Sequence, residues 1–168
     1  MTTYDETNKT FRYFIDVKYA ASEDLKDEYG NVLLASGDVI KDVENENVTA
    51  EVYIGVKGDI NLDNEVDAAD ASQALEYYAS VMSDGKSSDE IILSQTRDDL
   101  VTSPTSIYDN FAAFLGDVDV VSANNGIVAK SERVIDSSDA SNILKYYGES
   151  YGSDLSHKEL WNKVLGSE

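Results

Sequence analysis

The sequence predicts an α+β protein, with a small β-sheet formed by residues 1–56 and a mainly α-helical part formed by residues 57–168. Residues 48–56, VTAEVYIGV, place apolar side chains on one face with the period of a strand. A thirteen-residue segment at 67–79, DAADASQALEYYA, recurs at 136–148 as DSSDASNILKYYG with seven identical positions. Both copies carry apolar residues at helical spacing, so the larger part is expected to contain a duplicated helical unit.

The β-rich part is predicted from three short stretches. Residues 11–19, FRYFIDVKY, are rich in aromatic and β-branched side chains, and residues 27–31, DEYGN, have the composition of a turn. About 50 residues make only a thin sheet, so we expect the sheet to pack against the helical part. The apolar face of strand 48–56 carries Val48, Ala50, Val52, Ile54 and Val56.

The first copy of the repeat is preceded by a loop with an oxygen donor at each ligand position of a calcium loop. Such loops span twelve residues, take side-chain oxygens from positions 1, 3, 5, 9 and 12, and use the backbone carbonyl of position 7. The donors predicted here, with Asp59 as position 1, are Asp59, Asn61, Asp63, Glu65 through its carbonyl, Asp67 and Asp70.

Two positions of this loop depart from the usual pattern. Position 6 is Asn64 instead of Gly, and Asn tolerates the left-handed conformation needed there. Position 12 is Asp70 instead of Glu, so the loop must close more tightly around the ion. In a chain of net charge −20 the alternative is an ordinary acidic turn, but a chance cluster would not usually fill every position and then begin a helix. We therefore predict one calcium site here.

The second copy predicts another calcium loop, interrupted by an insertion. Asp117 and Asp139 are 22 positions apart, whereas Asp59 and Asp70 are 11 apart, so the second loop carries extra residues at about 120–133. Loop-closure entropy rises slowly with length, so such an insertion is tolerable. Counting from Asp117 without the insertion places Val121 at position 5. Val121 has no side-chain oxygen donor, and Ser122, Asn124 or Asn125 could replace it. The donors predicted for this loop are Asp117, Asp119, Val134 through its carbonyl, Asp136 and Asp139.

Each loop leads into one predicted helix. The residues before the first loop have the pattern of a strand and not of an entry helix. Because a single loop–helix unit cannot bury its apolar stripe alone, the two helices are expected to pack together in pseudo-twofold fashion. The predicted stripes are Ala71, Ala74, Leu75 and Tyr78 in the first copy, and Ala140, Ile143, Leu144 and Tyr147 in the second.

Three further segments complete the helical part. A linker is expected at about 83–105, with some local order around residues 91–93. Residues 106–117 read as a helix with Ser106 as its N-cap and an apolar stripe of Ile107, Phe111, Phe114 and Leu115. Residues 156–166 read as a short amphipathic helix whose Trp161 attaches the end of the chain to the core.

Composition limits the functions that are plausible. A net charge of −20 disfavours nucleic acid and anionic membrane surfaces as partners. The chain has no Cys and one His, so thiol chemistry and most His-centred catalysis are excluded, and we expect no enzyme. There is no apolar run long enough to cross a membrane, and residues 1–11 contain no apolar signal region.

The duplicated loop–helix units, the Asp at position 12 and the repeated DASxxLxYY motif resemble dockerins, which attach cellulosomal proteins to cohesin domains. The match covers about residues 56–150. The insertions and the preceding TAEVYIGVKGD segment are more specifically similar to the X-module–dockerin pairs of ruminococcal cellulosomes. The resemblance implies an Ig-like X-module, or its C-terminal part, packed on the dockerin, although residues 1–56 are short for a complete one. It also implies an extracellular, cell-surface-attached location and a monomeric free module.

The resemblance further implies a cohesin of a scaffoldin or cell-surface protein as the partner. Cohesin would contact positions 10 and 11 of each loop and helix residues outside the predicted stripe. Glu76 in one copy is replaced by Lys145 in the other, so the halves are unequal and one binding orientation is expected. The alternative function is an extracellular calcium-binding module that only stabilises a neighbouring domain. The partner-binding residues implied are Ala68, Ala69, Gln73, Glu76, Tyr77, Ser137, Ser138, Asn142, Lys145 and Tyr146, with core packing as the alternative role of both Tyr residues.

Overall fold

The computed structural model describes the backbone of residues 3–5, 10–17, 38–45, 48–119 and 129–166. Side chains are described from residue 53 onward within these ranges, apart from Asp84. The predicted turn at 27–31 lies outside the described residues. So do the candidate ligands Ser122, Asn124 and Asn125 and most of the predicted second-loop insertion.

The described strands form one four-stranded mixed sheet. They are β1 (Thr3–Asp5), β2 (Thr10–Val17), β3 (Asp38–Asn45) and β4 (Val48–Val56), in the spatial order β1-β2-β4-β3. Strands β2 and β4 are parallel, and the other two pairs are antiparallel. The predicted strand at 48–56 is confirmed, as is the part of 11–19 that the structure describes. An Ig-like sandwich has two packed sheets, and the described strands form a single sheet instead.

Four α-helices lie in the described part of the chain after the sheet. Asp67 and Asp136 cap α1 and α3 in the same way, each in a capping box with the Asp three residues later. Ser106 caps α2 by accepting a hydrogen bond from the Asp109 N–H, as predicted. The helices are α1 (Ala68–Asp84), α2 (Ile107–Gly116), α3 (Ser137–Ser150) and α4 (His157–Leu165), with 3-10 turns at Ser88–Glu90 and Lys130–Glu132.

Helices α1 and α3 pack against each other, as the repeat predicted. The predicted apolar stripes are confirmed at Ala71, Ala74, Ala140 and Ile143, which are buried, but each helix is rotated relative to the prediction at its larger residues. Leu75 and Leu144 are exposed, at 43% and 45%, whereas Tyr77 and Tyr146 are buried. The position-12 residue explains the rotation, because its carboxylate must face the loop and is buried there. Residues three, four and seven positions after it share its face of the helix, and Tyr77 and Tyr146 are seven positions after Asp70 and Asp139.

One hydrophobic core joins the sheet to the helices. Tyr53 of β4 contacts the rings of Tyr108 and Phe111 at centroid distances of 5.6 and 6.0 Å. Gly55 permits this approach, because a Cβ there would lie 2.7 Å from both Leu115 and Phe111 side-chain atoms. Secondary structure therefore changes after residue 56, where the boundary was predicted, while the packing continues across it.

The C-terminal helix closes the other side of this core. Trp161 is fully buried and stacks on the Tyr146 ring at a centroid distance of 4.4 Å. Gly58, at the start of the first loop, has φ +96°, and a Cβ there would lie 2.8 Å from the Trp161 ring. The predicted role of Trp161 in attaching the chain end to the core is confirmed.

The segment between α1 and α2 is more ordered than a linker. Gln73 of α1 accepts a hydrogen bond from the Gln95 N–H through Oε1 and donates from Nε2 to Thr96 Oγ1. On the other side, Leu93 is fully buried and its N–H donates to Asp109 Oδ1. The segment is thus held between α1 and α2 by side-chain hydrogen bonds that the sequence pattern did not indicate.

Candidate metal centres

The first loop is folded around the carboxylates at its two ends. Asp59 is buried and accepts hydrogen bonds from the Asp63 N–H at Oδ1 (3.1 Å) and from the Asn64 N–H at Oδ2 (2.9 Å). Asp70 is also buried, and its Oδ1 accepts from the N–H of Ile60 at 2.8 Å and of Asn61 at 3.1 Å. Both carboxylates are thus bonded to the backbone of the loop, and the charge of Asp59 acts on Asp70.

The middle of the first loop turns sharply. Leu62 and Asn64 have φ values of 61° and 76°, in the left-handed region. Asn64 stands at the position predicted to need this conformation. Asn61 Oδ1 accepts from the Asp63 N–H at 2.9 Å, and Asp63 Oδ1 accepts from the Glu65 N–H at 2.9 Å. Side-chain oxygens of positions 1, 3 and 5 therefore accept hydrogen bonds from the backbone of the loop.

The second loop repeats the geometry at its C-terminal end. Asp139 Oδ1 accepts from the Val118 N–H at 2.9 Å, and Asp139 Oδ2 accepts from the Asp136 N–H at 3.0 Å. In the first loop, Asp70 Oδ2 accepts from the Asp67 N–H at 2.9 Å in the corresponding way. The duplication is therefore structural, down to the bonds made by the position-12 carboxylate.

The second loop also gathers three carboxylates. Asp117, Asp119 and Asp139 each offer an oxygen, and these atoms lie within 4.8 Å of one another. In the part of the chain that the structure describes, this is the one group of three or more His, Cys, Asp or Glu residues arranged in this way. The insertion thus does not separate the predicted ligands at positions 1, 3 and 12.

Position 1 differs between the two loops. Asp117 Oδ2 accepts a hydrogen bond from Arg133 Nη1 at 3.2 Å, and both side chains are almost entirely buried. Among the residues that the structure describes, none donates a hydrogen bond to the buried Asp117 Oδ1. Sequence reasoning missed Arg133, although counting back from Asp139 places it at position 6, where the first loop has Asn64.

The predicted partner-binding residues fall into two groups. Gln73, Tyr77 and Tyr146 are buried, and for both Tyr residues this agrees with the alternative role of core packing. Asn142 is half-buried. The exposed ones are Ala68, Ala69, Glu76, Ser137, Ser138 and Lys145, and Lys145 also donates to the Val164 carbonyl. The signal that could have separated the groups is the position-12 carboxylate, which fixes the rotation of each helix.

The position-12 carboxyls have altered acidity. Burial, assisted by the charge of Asp59 and opposed by hydrogen bonds from backbone N–H groups, raises the pKa of Asp70 from its ordinary value to about 8. Burial likewise raises the pKa of Asp139 to about 7, with the charge of Asp119 adding to it. Both loops hold carboxyls for which ionisation without a nearby cation is costly.

This pKa shift predicts an unusual pH dependence for the metal-free protein. A carboxyl whose pKa is raised on folding contributes stability below its unfolded pKa of about 4 and loses that contribution as the pH rises through its folded pKa. In excess chelator, urea unfolding should therefore show increasing stability as the pH falls from about 8 to about 5.

Asp70→Asn should flatten this dependence, because Asn carries no titrating proton. Asp154→Asn, at an exposed position outside both loops, is the matched control and should retain the wild-type profile. A metal-free protein that loses stability steadily over the same fall in pH would contradict the assignment of raised pKa values to these carboxyls.

Comparison with known proteins adds no relative. No protein-family model matches this chain, and no curated protein matches it. None of the described helices is long and apolar enough to cross a membrane.

Proposed function

We propose that this chain is a calcium-dependent, non-catalytic adaptor that binds a cohesin domain. The observation that carries the proposal is the repeated unit: α1 and α3 begin with the same Asp capping box and pack together. In this role the chain anchors a cellulosomal protein to a scaffoldin or to the bacterial cell surface, outside the cell. The resemblance of the repeated motif to dockerins supports the choice of partner.

The donor set fits calcium. Calcium is a hard cation that takes six to eight oxygen ligands, and the lining side chains of both loops offer carboxylate and amide oxygens. The buried, unbonded Asp117 Oδ1 is a second indication, since a buried carboxylate oxygen is costly without a partner. When bound, calcium neutralises the clustered carboxylates and stabilises the folded loops. The residues that would hold it are Asp59, Asn61, Asp63, Glu65, Asp67 and Asp70 in one loop, and Asp117, Asp119, Val134, Asp136 and Asp139 in the other.

The exposed faces of α1 and α3 supply a surface suited to a protein partner. Leu75 and Leu144 occupy equivalent positions of the repeat and are both exposed, at 43% and 45%. Residues 68–69 and 137–138, at positions 10 and 11 of the loops, are exposed as well. Folding of the loops by calcium would fix the helix starts that carry these residues, so partner binding would depend on calcium.

The alternative function is an extracellular calcium module that only stabilises a neighbouring domain. The continuous core favours it, because Tyr53 and Gly55 of β4 pack directly on α2. In that case calcium would still raise stability, but the surface bearing Leu75 and Leu144 would bind no cohesin.

Binding to a panel of purified cohesins, in calcium and in chelator, tests the proposal. We expect one cohesin to bind tightly in calcium, with binding lost in chelator and in the Asp59→Ala plus Asp70→Ala variant. The exposed Asp98→Ala plus Asp154→Ala variant removes the same charge elsewhere and should bind normally. A calcium-folded protein that binds none of the cohesins would favour the stabilising module instead.

A further inference from the structure

We propose that a surface pocket between α1 and the segment that follows it binds a small primary amine that carries an aliphatic chain. The pocket has a volume of about 460 Å³, which lies in the range of small-molecule sites in proteins. None of the residues that line it is a candidate calcium ligand. The proposal therefore adds a ligand that the adaptor function does not involve.

The walls of the pocket are held by hydrogen bonds from neighbouring elements. Lys130 Nζ donates to the carbonyls of Ile91 and Pro104, at 2.7 and 2.6 Å. The Ser94 N–H donates to Asp109 Oδ1 of α2 at 2.9 Å. Ile91, Ser94 and Pro104 all line the pocket, so its shape is largely formed before a ligand binds. A preformed site costs less conformational entropy on binding.

The lining combines apolar side chains with one buried hydroxyl. The apolar residues are Ile91, Ile92, Val101 and Pro104, which suit an aliphatic chain. Ser94 is 1% exposed, and none of the described residues forms a hydrogen bond with its Oγ. Because a buried hydroxyl without a partner is costly, a ligand group that donates a hydrogen bond to this oxygen would be favoured.

The charged residues of the pocket favour a cation. Glu90 accepts hydrogen bonds from the Ser87 N–H and Oγ, and the charge of Lys86 acts on it. Asp98 is exposed, and within the described part of the chain no residue forms a hydrogen bond or an ion pair with it. One lysine and two carboxylates line the pocket, so its formal charge is negative by one.

An ammonium group matches these features together. It has three donors and no acceptor, and it is protonated at pH 7 as a lysine side chain is. The uncommitted polar groups of Ser94 and Asp98 are a hydroxyl and a carboxylate, and both accept hydrogen bonds from an ammonium. The net charge of −20 also draws cations to the protein and repels anions.

NMR titration of the full chain with three probes of equal chain length tests the proposal. The probes are 1-pentylamine, 1-pentanol and pentanoate, all titrated in calcium chloride so that the loop carboxylates do not compete for the amine. With ¹³C-labelled isoleucine methyl groups, the signals of Ile91 and Ile92 should shift, and that of the buried Ile143 on α3 should not. We expect pentylamine to bind with a dissociation constant on the order of 1 mM, pentanol at least about threefold more weakly, and pentanoate not measurably.

Two variants separate the charge from the hydroxyl. Asp98→Asn should weaken pentylamine binding by about threefold to fivefold, the range expected for an exposed ion pair, and leave pentanol binding unchanged. Asp154→Asn removes the same charge outside the pocket and is the matched control. Ser94→Ala should weaken the binding of pentylamine and pentanol alike. It should not destabilise the fold, because the hydroxyl has no partner among the described residues.

Three results would overturn the proposal. These are pentanol binding as tightly as pentylamine, shifts spread over isoleucines outside the pocket, and equal weakening by Asp98→Asn and Asp154→Asn. The first two come from the wild-type protein and do not depend on a variant that folds. Calcium and cohesin binding are measured separately, so the proposed function and this proposal can each fail alone.

Discussion

Replacing Lys130 with Met is expected to lower the free energy of unfolding by about 3–5 kcal/mol, the usual cost of breaking a buried ion pair from one side. Lys130 is 1% exposed, and its Nζ donates to Asp109 Oδ2 and to the carbonyls of Ile91 (2.7 Å) and Pro104 (2.6 Å). Met fills a similar volume but leaves the Asp109 charge and both carbonyls without this donor. Urea unfolding monitored by circular dichroism measures the loss.

The matched control is Lys163→Met, which breaks an ion pair with Glu149 on the surface. That pair has side-chain exposures of 51% and 37%, so its loss should cost less than about 1 kcal/mol. Adding Asp109→Asn to Lys130→Met should recover part of the stability, because the uncompensated charge is gone. If Lys130→Met lowered the free energy of unfolding no more than Lys163→Met does, the buried ion pair between Lys130 and Asp109 would not stabilise the fold.

Calcium is expected to raise the free energy of unfolding by about 4 kcal/mol for each loop when its free concentration is a thousand times the dissociation constant. The physical reason is that each loop holds a buried carboxyl, Asp70 or Asp139, whose pKa is raised and whose ionisation a bound cation would favour. Asp70→Asn should remove most of the first-loop contribution, because it replaces the two carboxylate oxygens at position 12 by one neutral amide oxygen while keeping the shape of the side chain. Thermal unfolding over a calcium titration measures both effects.

Magnesium at the same concentrations should stabilise much less. Magnesium demands near-octahedral geometry and gives up its water reluctantly, whereas calcium accepts six to eight oxygen ligands in a flexible geometry. Exposed Asp154→Asn should respond to calcium as the wild type does. Equal stabilisation of wild type and Asp70→Asn would contradict the assignment of Asp70 as a ligand.

Local patterns were sufficient for most of the secondary structure that the structure describes. Strand 48–56 and helix α2 with its Ser106 cap follow from period and capping residues, which act over a few positions. The duplicated helices follow from the repeat. Asn64 could be placed in the left-handed region because the ligand spacing requires a turn there.

The rotation of α1 and α3 about their axes can be predicted from the position-12 carboxylates, but the apolar stripe alone predicts a different rotation. Counting apolar residues alone placed Leu75 and Leu144 in the core, and both are exposed. The buried carboxylates of Asp70 and Asp139 decide the rotation, because each must reach into its own loop. The position of one buried carboxylate therefore decides which face of each helix lies in the core, and the larger Leu side chains remain exposed.

The sequence by itself determined the two exit helices and the strand that leads into the first loop, because each depends on neighbours a few positions away. Only the tertiary structure decided which partner each buried charge takes. Lys130 and Asp109 are 21 positions apart, and Arg133 and Asp117 are 16 apart. No local period or capping rule links residues so distant in the sequence. The two ion pairs form because tertiary packing brings opposite charges together where water is excluded.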